Sequence, residues 1–439
     1  MVFNRSEGKD RIILFGRYPV PGKTKTRLIP GLGPAGAAEL QRRLTEKTLE
    51  TLKQVGSRID IEIEVCLDGG TKAKAGRWLG KDLLYSQQAP GDLGERMHAA
   101  FQEAFQQGCR RVVLVGTDIP GLKTRHLEEA FRAFEDRDLV LGPSTDGGYW
   151  LMGLNRRINL FRNIRWGTGD VLEQTLSAAR GFGLGFCQLD PLTDVDTEED
   201  LRLLLPGLAV HRPYVSVIIP ALNESAGIER AVQSALDTDA EVIVVDGGST
   251  DDTSVRAEKA GARVEHSARG RALQQNRGAA RAGGKVLLFL HADTRLPRGY
   301  VAHVFETLMY PKTTAGAFRF RTDRKGALIR LVKFLTNIRA RCFQLPYGDQ
   351  GLFLRRALFE NIGGFPETAI AEDLFLVRRI SKRGRVGIAP AEAVTSARRW
   401  NRIGVVRTTV INQMILAGCL LGISPDKLAC LYYKPHRKR

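Results

Sequence analysis

Two stretches of the chain open alike, each a short apolar run that feeds a loop of Gly, Pro and polar residues. They are Arg11-Ile-Ile-Leu-Phe-Gly-Arg-Tyr-Pro and Val215-Ser-Val-Ile-Ile-Pro-Ala-Leu-Asn-Glu, and each reads as the first strand of its own α/β unit. Further runs of strand length follow at 61–67, 111–115 and 139–141, then at 241–245, 285–290 and 351–354. Between them apolar positions recur at helical spacing, as in 34–55 and 227–236. Strands alternating with helices predict an α/β class with mostly parallel sheets covered on both faces. Asp-Thr-Glu-Glu-Asp-Leu-Arg-Leu-Leu-Leu reads as a capped helix stopped by Pro206-Gly207, so the domains are drawn at 1–208 and 209–439, the second with a C-terminal helical extension. The apolar stretch 405–423 is broken by Arg407, Asn412 and Gln413. It leaves ten continuous residues, against the roughly 20 a spanning helix needs, and predicts a packed or interfacial helix.

Composition agrees with two domains. The chain has 439 residues, 43% hydrophobic and 26% charged, against about 100–200 residues per domain. The formal charge of +18 is unevenly placed: residues 1–210 hold 29 Lys+Arg against 28 Asp+Glu, and residues 211–439 hold 37 against 20. Excess charge confined to one half asks which anion that half meets: nucleic acid, a nucleotide diphosphate or an anionic membrane surface. No nucleic-acid-binding motif accompanies it, so no nucleic-acid partner is expected. Part of it lies in 319–341, where eight Lys/Arg and the single acid Asp323 are interleaved with Leu328, Leu331, Phe334, Leu335 and Ile338. That composition suits a basic amphipathic helix making a peripheral membrane contact, and equally a core-packed helix with a solvated basic face. Six scattered cysteines without a C-x-x-C pair predict reduced thiols and no zinc site. An N-terminus without a signal-peptide h-region predicts a cytoplasmic protein, peripheral at most to the inner face of the membrane.

In open parallel sheets ligands sit beyond the carboxyl ends of strands, so acids just past apolar runs are the candidates. The second half has three such places: Val242-Ile-Val-Val-Asp246-Gly-Gly-Ser-Thr-Asp251, Leu290-His291-Ala-Asp293, and Glu372-Asp373. Sugar transfer from a nucleotide donor calls for such a set: a carboxylate for ribose or base, one for a divalent metal on the diphosphate, and a general base for the acceptor. Taken singly, the Asp246 run is an ordinary helix-capping turn and Glu372-Asp373 a solvated pair. Their ordered recurrence after successive strands favours a site.

With Val-Ile-Ile-Pro220-Ala-Leu-Asn223-Glu224 added, residues 215–400 resemble a family 2 glycosyltransferase of GT-A fold, the Rossmann-like architecture of nucleotide-diphospho-sugar transferases. Arg269-Gly-Arg271-Ala-Leu-Gln-Gln-Asn276 and Leu-His291-Ala-Asp293-Thr resemble the arsenosugar-biosynthesis subgroup, also called selenodomain-associated transferases. The resemblance implies that Pro220, Asn223, Glu224 and Asp246 contact the nucleotide. It makes Asp293 the metal ligand, for Mg2+ or Mn2+, and Asp373, beside Glu372, the base of an inverting displacement. His291 stands where the usual triplet has its first aspartate. Arg271 suits a phosphate or an exposed helix face. Ser396-Ala-Arg-Arg399-Trp400 resembles the Gln-x-x-Arg-Trp signature of processive synthases without its glutamine. Processivity is therefore not expected, and Arg399 and Trp400 are assigned to the substrate cleft.

In the first half, Gly16-Arg-Tyr-Pro-Val-Pro-Gly22-Lys23-Thr-Lys25-Thr-Arg27-Leu follows the first strand. It gathers Gly16, Lys23, Lys25 and Arg27 for nucleotide phosphates, or forms a solvated basic turn. It is not a P-loop, since Gly16 and Gly22 are six apart. Gly116-Thr-Asp118-Ile-Pro120 places an acid at a strand end, and Asp194-Val-Asp196-Thr-Glu-Glu-Asp200 places another before the last helix of the domain. Residues 11–204 thus resemble nucleotidyltransferase-like GT-A domains, the broad group of molybdenum-cofactor and phospholactate guanylyltransferases, with selenodomain-associated (DUF2064-type) transferases as near relatives. The resemblance implies that Asp118 and Asp196 hold the metal across the phosphates, Asp118 also serving catalysis. Asp146-Gly-Gly-Tyr149-Trp150 suits a substrate pocket, with Asp146 as a plain turn residue the other reading. The chain therefore reads as a bifunctional transferase using nucleotide-sugar and NTP substrates. Two alternatives stand beside this: one domain inactive and serving as a binding or regulatory module, or a membrane-associated enzyme acting on a lipid or carotenoid. Sugar, base, acceptor and oligomeric state carry no sequence signal.

Overall fold

The computed structural model describes residues 8–205 and 213–433, with the side chains of 420 and 430–433 left aside. The chain ends at 1–7 and 434–439, the domain junction at 206–212 and the Cys430 thiol lie outside the described residues. Two units divide the chain, 1–211 and 212–439.

The first unit is a seven-stranded sheet. Its strands are β1 (Asp10–Arg17), β2 (Ile61–Asp68), β3 (Leu84–Gln87), β4 (Arg111–Gly116), β5 (Leu139–Pro143), β6 (Tyr149–Leu154) and β7 (Phe186–Gln188), in the order β3-β2-β1-β4-β6-β5-β7. Only β6 runs against the others. Central strands carry apolar residues on both faces because helices cover both: Ile12, Ile13 and Leu14 are all fully buried. The helix Ile29–Gly56 is broken at Gly33 (φ 71°), and Pro34 restarts it, which is where a fixed φ and a missing N–H cost nothing.

The second unit repeats this order. Its strands are β8 (Val215–Ala221), β9 (Ala240–Asp246), β10 (Arg263–His266), β11 (Val286–Phe289), β12 (Thr294–Arg295), β13 (Thr313–Thr322), β14 (Leu352–Arg355) and β15 (Arg385–Thr395). They lie as β10-β9-β8-β11-β14-β13-β15-β12. Strand for strand this is the first sheet with β12 added at the edge, and β14 takes the antiparallel place of β6.

The structure revises one predicted helix. Residues 319–322 end β13, where Arg319 and Arg321 alternate with buried Phe318 and Phe320. The helix starts only at Ala327 and runs to Cys342. A two-residue period over 317–322 decides this: cations out and rings in is a strand pattern. The stretch 405–423 forms the helix Val405–Leu420, and among the described residues no helix is long and apolar enough to cross a membrane.

Candidate functional site

In the first unit the loop after β1 turns Lys25 inward. Its backbone is left-handed (φ 50°) and its side chain is 3% exposed. The Nζ donates to Val195 O at 2.5 Å and lies 2.9 Å from Asp118 Oδ2 and 3.5 Å from Asp196 Oδ1. The Val195 N–H donates to Asp118 O, fixing the segment beyond β7 against the end of β4. The two acids chosen from sequence therefore meet around one ammonium.

Of the other cations of the run, Arg27 joins this group and Lys23 does not. Arg27, largely exposed, pairs with Asp196 at 2.7 Å, and Lys23 is exposed, its backbone N–H donating to Val20 O. A Cβ on Gly16 would meet Thr117 Cγ2 at 2.6 Å, so that position packs β1 against Thr117. Asp146 accepts from the Gly148 N–H at 3.0 Å, as a turn residue does. Burial, reinforced by Asp146, raises the Asp194 carboxyl, which accepts from Ser144 Oγ. Asp200 caps its helix and receives the Asp196 and Thr197 N–H groups. Tyr149 and Trp150, assigned to a pocket by sequence, are β6 residues of the core. Trp150 is 3% exposed and faces the His126 ring, while the Tyr149 hydroxyl is sealed from water and raised by burial.

In the second unit the loops after β8, β9, β11 and β15 converge. Asn223, left-handed at φ 53°, accepts from the Thr250 N–H at 2.9 Å, and its own N–H donates to Ser249 Oγ. Asp246 is 4% exposed and accepts from the Ser249 N–H, Ser249 Oγ and Ser254 Oγ. Its carboxylate thus shapes its own turn. Pro220 is buried within β8. Glu224 accepts two hydrogen bonds from Arg398 Nη2, at 2.6 and 2.9 Å, and Asp293 lies 3.6 Å from the same nitrogen. Burial raises the Glu224 carboxyl and Arg398 opposes the rise.

The third group surrounds Asp373, in the first turn of the helix Glu372–Ser381. Its Oδ2 accepts from the Gly348 N–H at 2.7 Å and its Oδ1 from the Leu374 N–H at 2.8 Å. Only glycine allows that approach: a Cβ at 348 would lie 2.6 Å from His291 Nε2. Burial, aided by Arg271, lowers the His291 imidazole to about 3, so it is neutral at physiological pH. Glu372 is 4% exposed and sits 3.2 Å from Arg271. Burial raises its carboxyl, Arg271 counteracts, and Asp373 adds to the rise. Arg271 is thus a partner of Glu372 in this arrangement.

Sequence reasoning missed two residues of this cluster. Arg398 stands three positions beyond β15, one before the assigned Arg399. Asp349 is pushed up to about 7 by burial, against Arg339 and with Asp373 and Asp293 adding to the rise; its Oδ1 is sealed from water without a hydrogen-bond partner. Trp400 does not line a cleft: its ring packs edge-on against Phe320 at 5.8 Å in a small core with Ile329 and Ala397. Arg399 is half-buried on the same short helix, Arg398–Ile403.

The donor set suits a hard divalent cation of the kind held by one or two carboxylates together with substrate phosphates. Asp118 and Asp196 could hold it in the first unit, where the Lys25 ammonium now sits between them, and Asp293 in the second. Among the described residues no group of three His, Cys, Asp or Glu side chains forms a metal cage.

Residues 216–363 match the family described as glycosyl transferase family 2, and residues 51–168 match one described as an uncharacterized protein conserved in bacteria (DUF2064). A PGL/p-HBAD biosynthesis glycosyltransferase of Mycobacterium bovis is 30% identical over 225 residues, covering 46% of this chain and 83% of that protein. The chain belongs to glycosyl transferase family 2. A second relative of this family 2 chain, the "Probable glycosyltransferase YdaM" of Bacillus subtilis, is 26% identical over 203 residues, 39% of this chain; the chain spans 47% of its length. A solved "putative nucleotide-diphospho-sugar transferase" from Desulfovibrio desulfuricans G20 shares 36% identity over 45% of this chain and 86% of that one, with a TM-score of 0.42. Other solved structures matched by the family 2 chain contain Mn2+, with GDP-Man in one and UDP in another.

Proposed function

We propose that residues 209–439 transfer a glycosyl group from a nucleotide-sugar donor to an acceptor hydroxyl with inversion, and that residues 1–208 form a nucleotidyltransferase-like domain handling an NTP or nucleotide sugar. The observation that carries the reading is Asp373. Two backbone N–H groups fix its carboxylate at a helix start, within a cluster holding neutral His291, raised Asp349 and the Arg271–Glu372 pair. Asp373 accepts the acceptor's proton as the hydroxyl oxygen bonds the anomeric carbon and the diphosphate departs from the opposite face. Arg398, exposed on one side and shared by Glu224 and Asp293, can turn to the departing phosphates, as can Arg271. A divalent cation, Mg2+ or Mn2+, at Asp293 would supply further positive charge to the leaving diphosphate.

The test is Asp373→Asn, which keeps shape and removes the base. Screening nucleotide sugars for nucleoside-diphosphate release and sugar transfer by mass spectrometry should show a loss of roughly 100-fold or more in turnover. Wild-type turnover in the variant would remove Asp373 from the chemistry. The lysine between Asp118 and Asp196 favours a second reading of the first domain, as a nucleotide-binding module that needs no metal. Nucleotide binding unaffected by chelation would support it.

A further inference from the structure

The helices Ala327–Cys342 and Val405–Leu420 pack together and turn apolar side chains outward. At 100° per residue, Leu328, Leu331, Phe334, Leu335 and Ile338 fall on one side of the first helix, each between 37% and 61% exposed. On the second helix Val406, Val410 and Met414 recur every fourth residue, each at least half exposed, and Leu421 follows past its end. Exposed Arg330 and Arg341 border one edge of the apolar side of the first helix. A solvated basic face over a packed apolar one does not describe this element, because the outward side is the apolar one. Outward apolar faces on two packed helices mark an interaction surface.

Charge decides among occupants. Residues 324–348 hold six Lys/Arg and no Asp or Glu, and the second helix, 405–420, adds Arg407 and no acid; of these, Lys333 is paired with Glu392. A second copy of the chain would meet this surface with the same surface, cation against cation, since a two-fold interface is self-complementary. An anionic bilayer meets both features: apolar side chains enter the acyl boundary while the flanking guanidinium and ammonium groups reach the headgroups. We propose that this two-helix face docks the second domain on an anionic lipid surface. The proposal goes beyond the glycosyl-transfer reading and stands without it.

The experiment is flotation of the full chain with vesicles of phosphatidylcholine alone and of phosphatidylcholine mixed with phosphatidylglycerol, at low and high salt. Binding is expected to the mixed vesicles only, weakening as salt rises. Leu331→Glu with Phe334→Glu should weaken it roughly tenfold or more, and these exposed positions leave the core untouched. Val255→Glu, equally exposed but on another helix, should bind as the wild type does. The proposal is overturned by absence of binding, by equal binding to neutral vesicles, by equal loss in Val255→Glu, or by no loss in the double variant. It is also overturned if light scattering shows a dimer that the double variant dissolves, which would assign the face to a second copy.

Discussion

Lys25→Met removes the ammonium that Asp118 and Asp196 share. The two side chains are of similar length, and the left-handed backbone at φ 50° is equally unfavourable for both, so what changes is the charge together with the hydrogen bond to Val195 O. At 2.9 and 3.5 Å the attractions amount to several kcal/mol at an effective dielectric of about 20. The carboxylates are 38% and 42% exposed and regain water when the lysine goes, which brings the net cost to about 1–2 kcal/mol. For a unit of this size that lowers Tm by about 2–8 °C. Metal affinity should move the other way. In the wild type a dication entering between Asp118 and Asp196 must displace the ammonium, and in the variant it finds Asp118 uncompensated and Asp196 paired only with the exposed Arg27. The Mn2+ Kd should fall about tenfold, equivalent to about 1.4 kcal/mol. Calorimetry of the full chain with and without Mn2+, combined with titration of the free-Mn2+ electron paramagnetic resonance signal, reads both effects. The variant should melt lower without metal and recover when Mn2+ saturates it. An unchanged Tm together with unchanged or weaker Mn2+ binding would refute the reasoning, because the carboxylates would then not be arranged around a cation.

Asp349 sets a pH dependence. Its carboxyl lies near 7 in the fold against 3.8 in the unfolded chain, so its contribution to stability is full below about pH 3.8 and is lost as the pH rises through 7. Denaturant unfolding at about pH 5.5 and about pH 8 should show the wild type losing about 1–2 kcal/mol more than Asp349→Asn; parallel losses would contradict the assignment. Gly348→Ala places a Cβ 2.6 Å from His291 Nε2 and 3.3 Å from Asp373 Oδ2. It should cost about 1–3 kcal/mol, read by thermal melting, and lower transfer as well; a variant of wild-type stability would show the approach to be looser than described.

Much of the scaffold is legible from the chain alone, and the reason is burial. β1, β4, β8, β9 and β11 are covered on both faces and so appear as unbroken apolar runs. β3, β7 and β10 are three or four residues long and half exposed, too short for a pattern. β15 mixes Arg385, Gly387, Pro390 and Glu392 into its alternation, and missing it hid Arg398, which a strand ending at Thr395 would have placed among the strand-end candidates. Asp118, Asp246 and Asp293 were legible because each follows an apolar run, whereas Glu372 and Asp373 follow a loop and open a helix. The counter-ions were not legible: Arg398 lies 174 residues from Glu224 and Lys25 lies 171 from Asp196, and only the closed sheet brings them together. Asp349 carries no signal beyond its glycine neighbour, since its behaviour comes from the enclosure around it.

The repeated strand order makes the two halves comparable station by station. Beyond the fourth strand both carry an aspartate, Asp118 and Asp293. At the other two stations the signs are interchanged. The first half sends a cation from its opening loop, Lys25, to meet an acid beyond its last main strand, Asp196. The second sends an acid from its opening loop, Glu224, to meet a cation beyond its last main strand, Arg398. Each half sets a cation across from two acids, and in the first half Arg27 adds a second cation on Asp196. Lys25 is sealed, whereas Arg27 in the first half and Arg398 in the second stand open. A polyanionic ligand would therefore meet an open cation in each half, Arg27 in the first and Arg398 in the second.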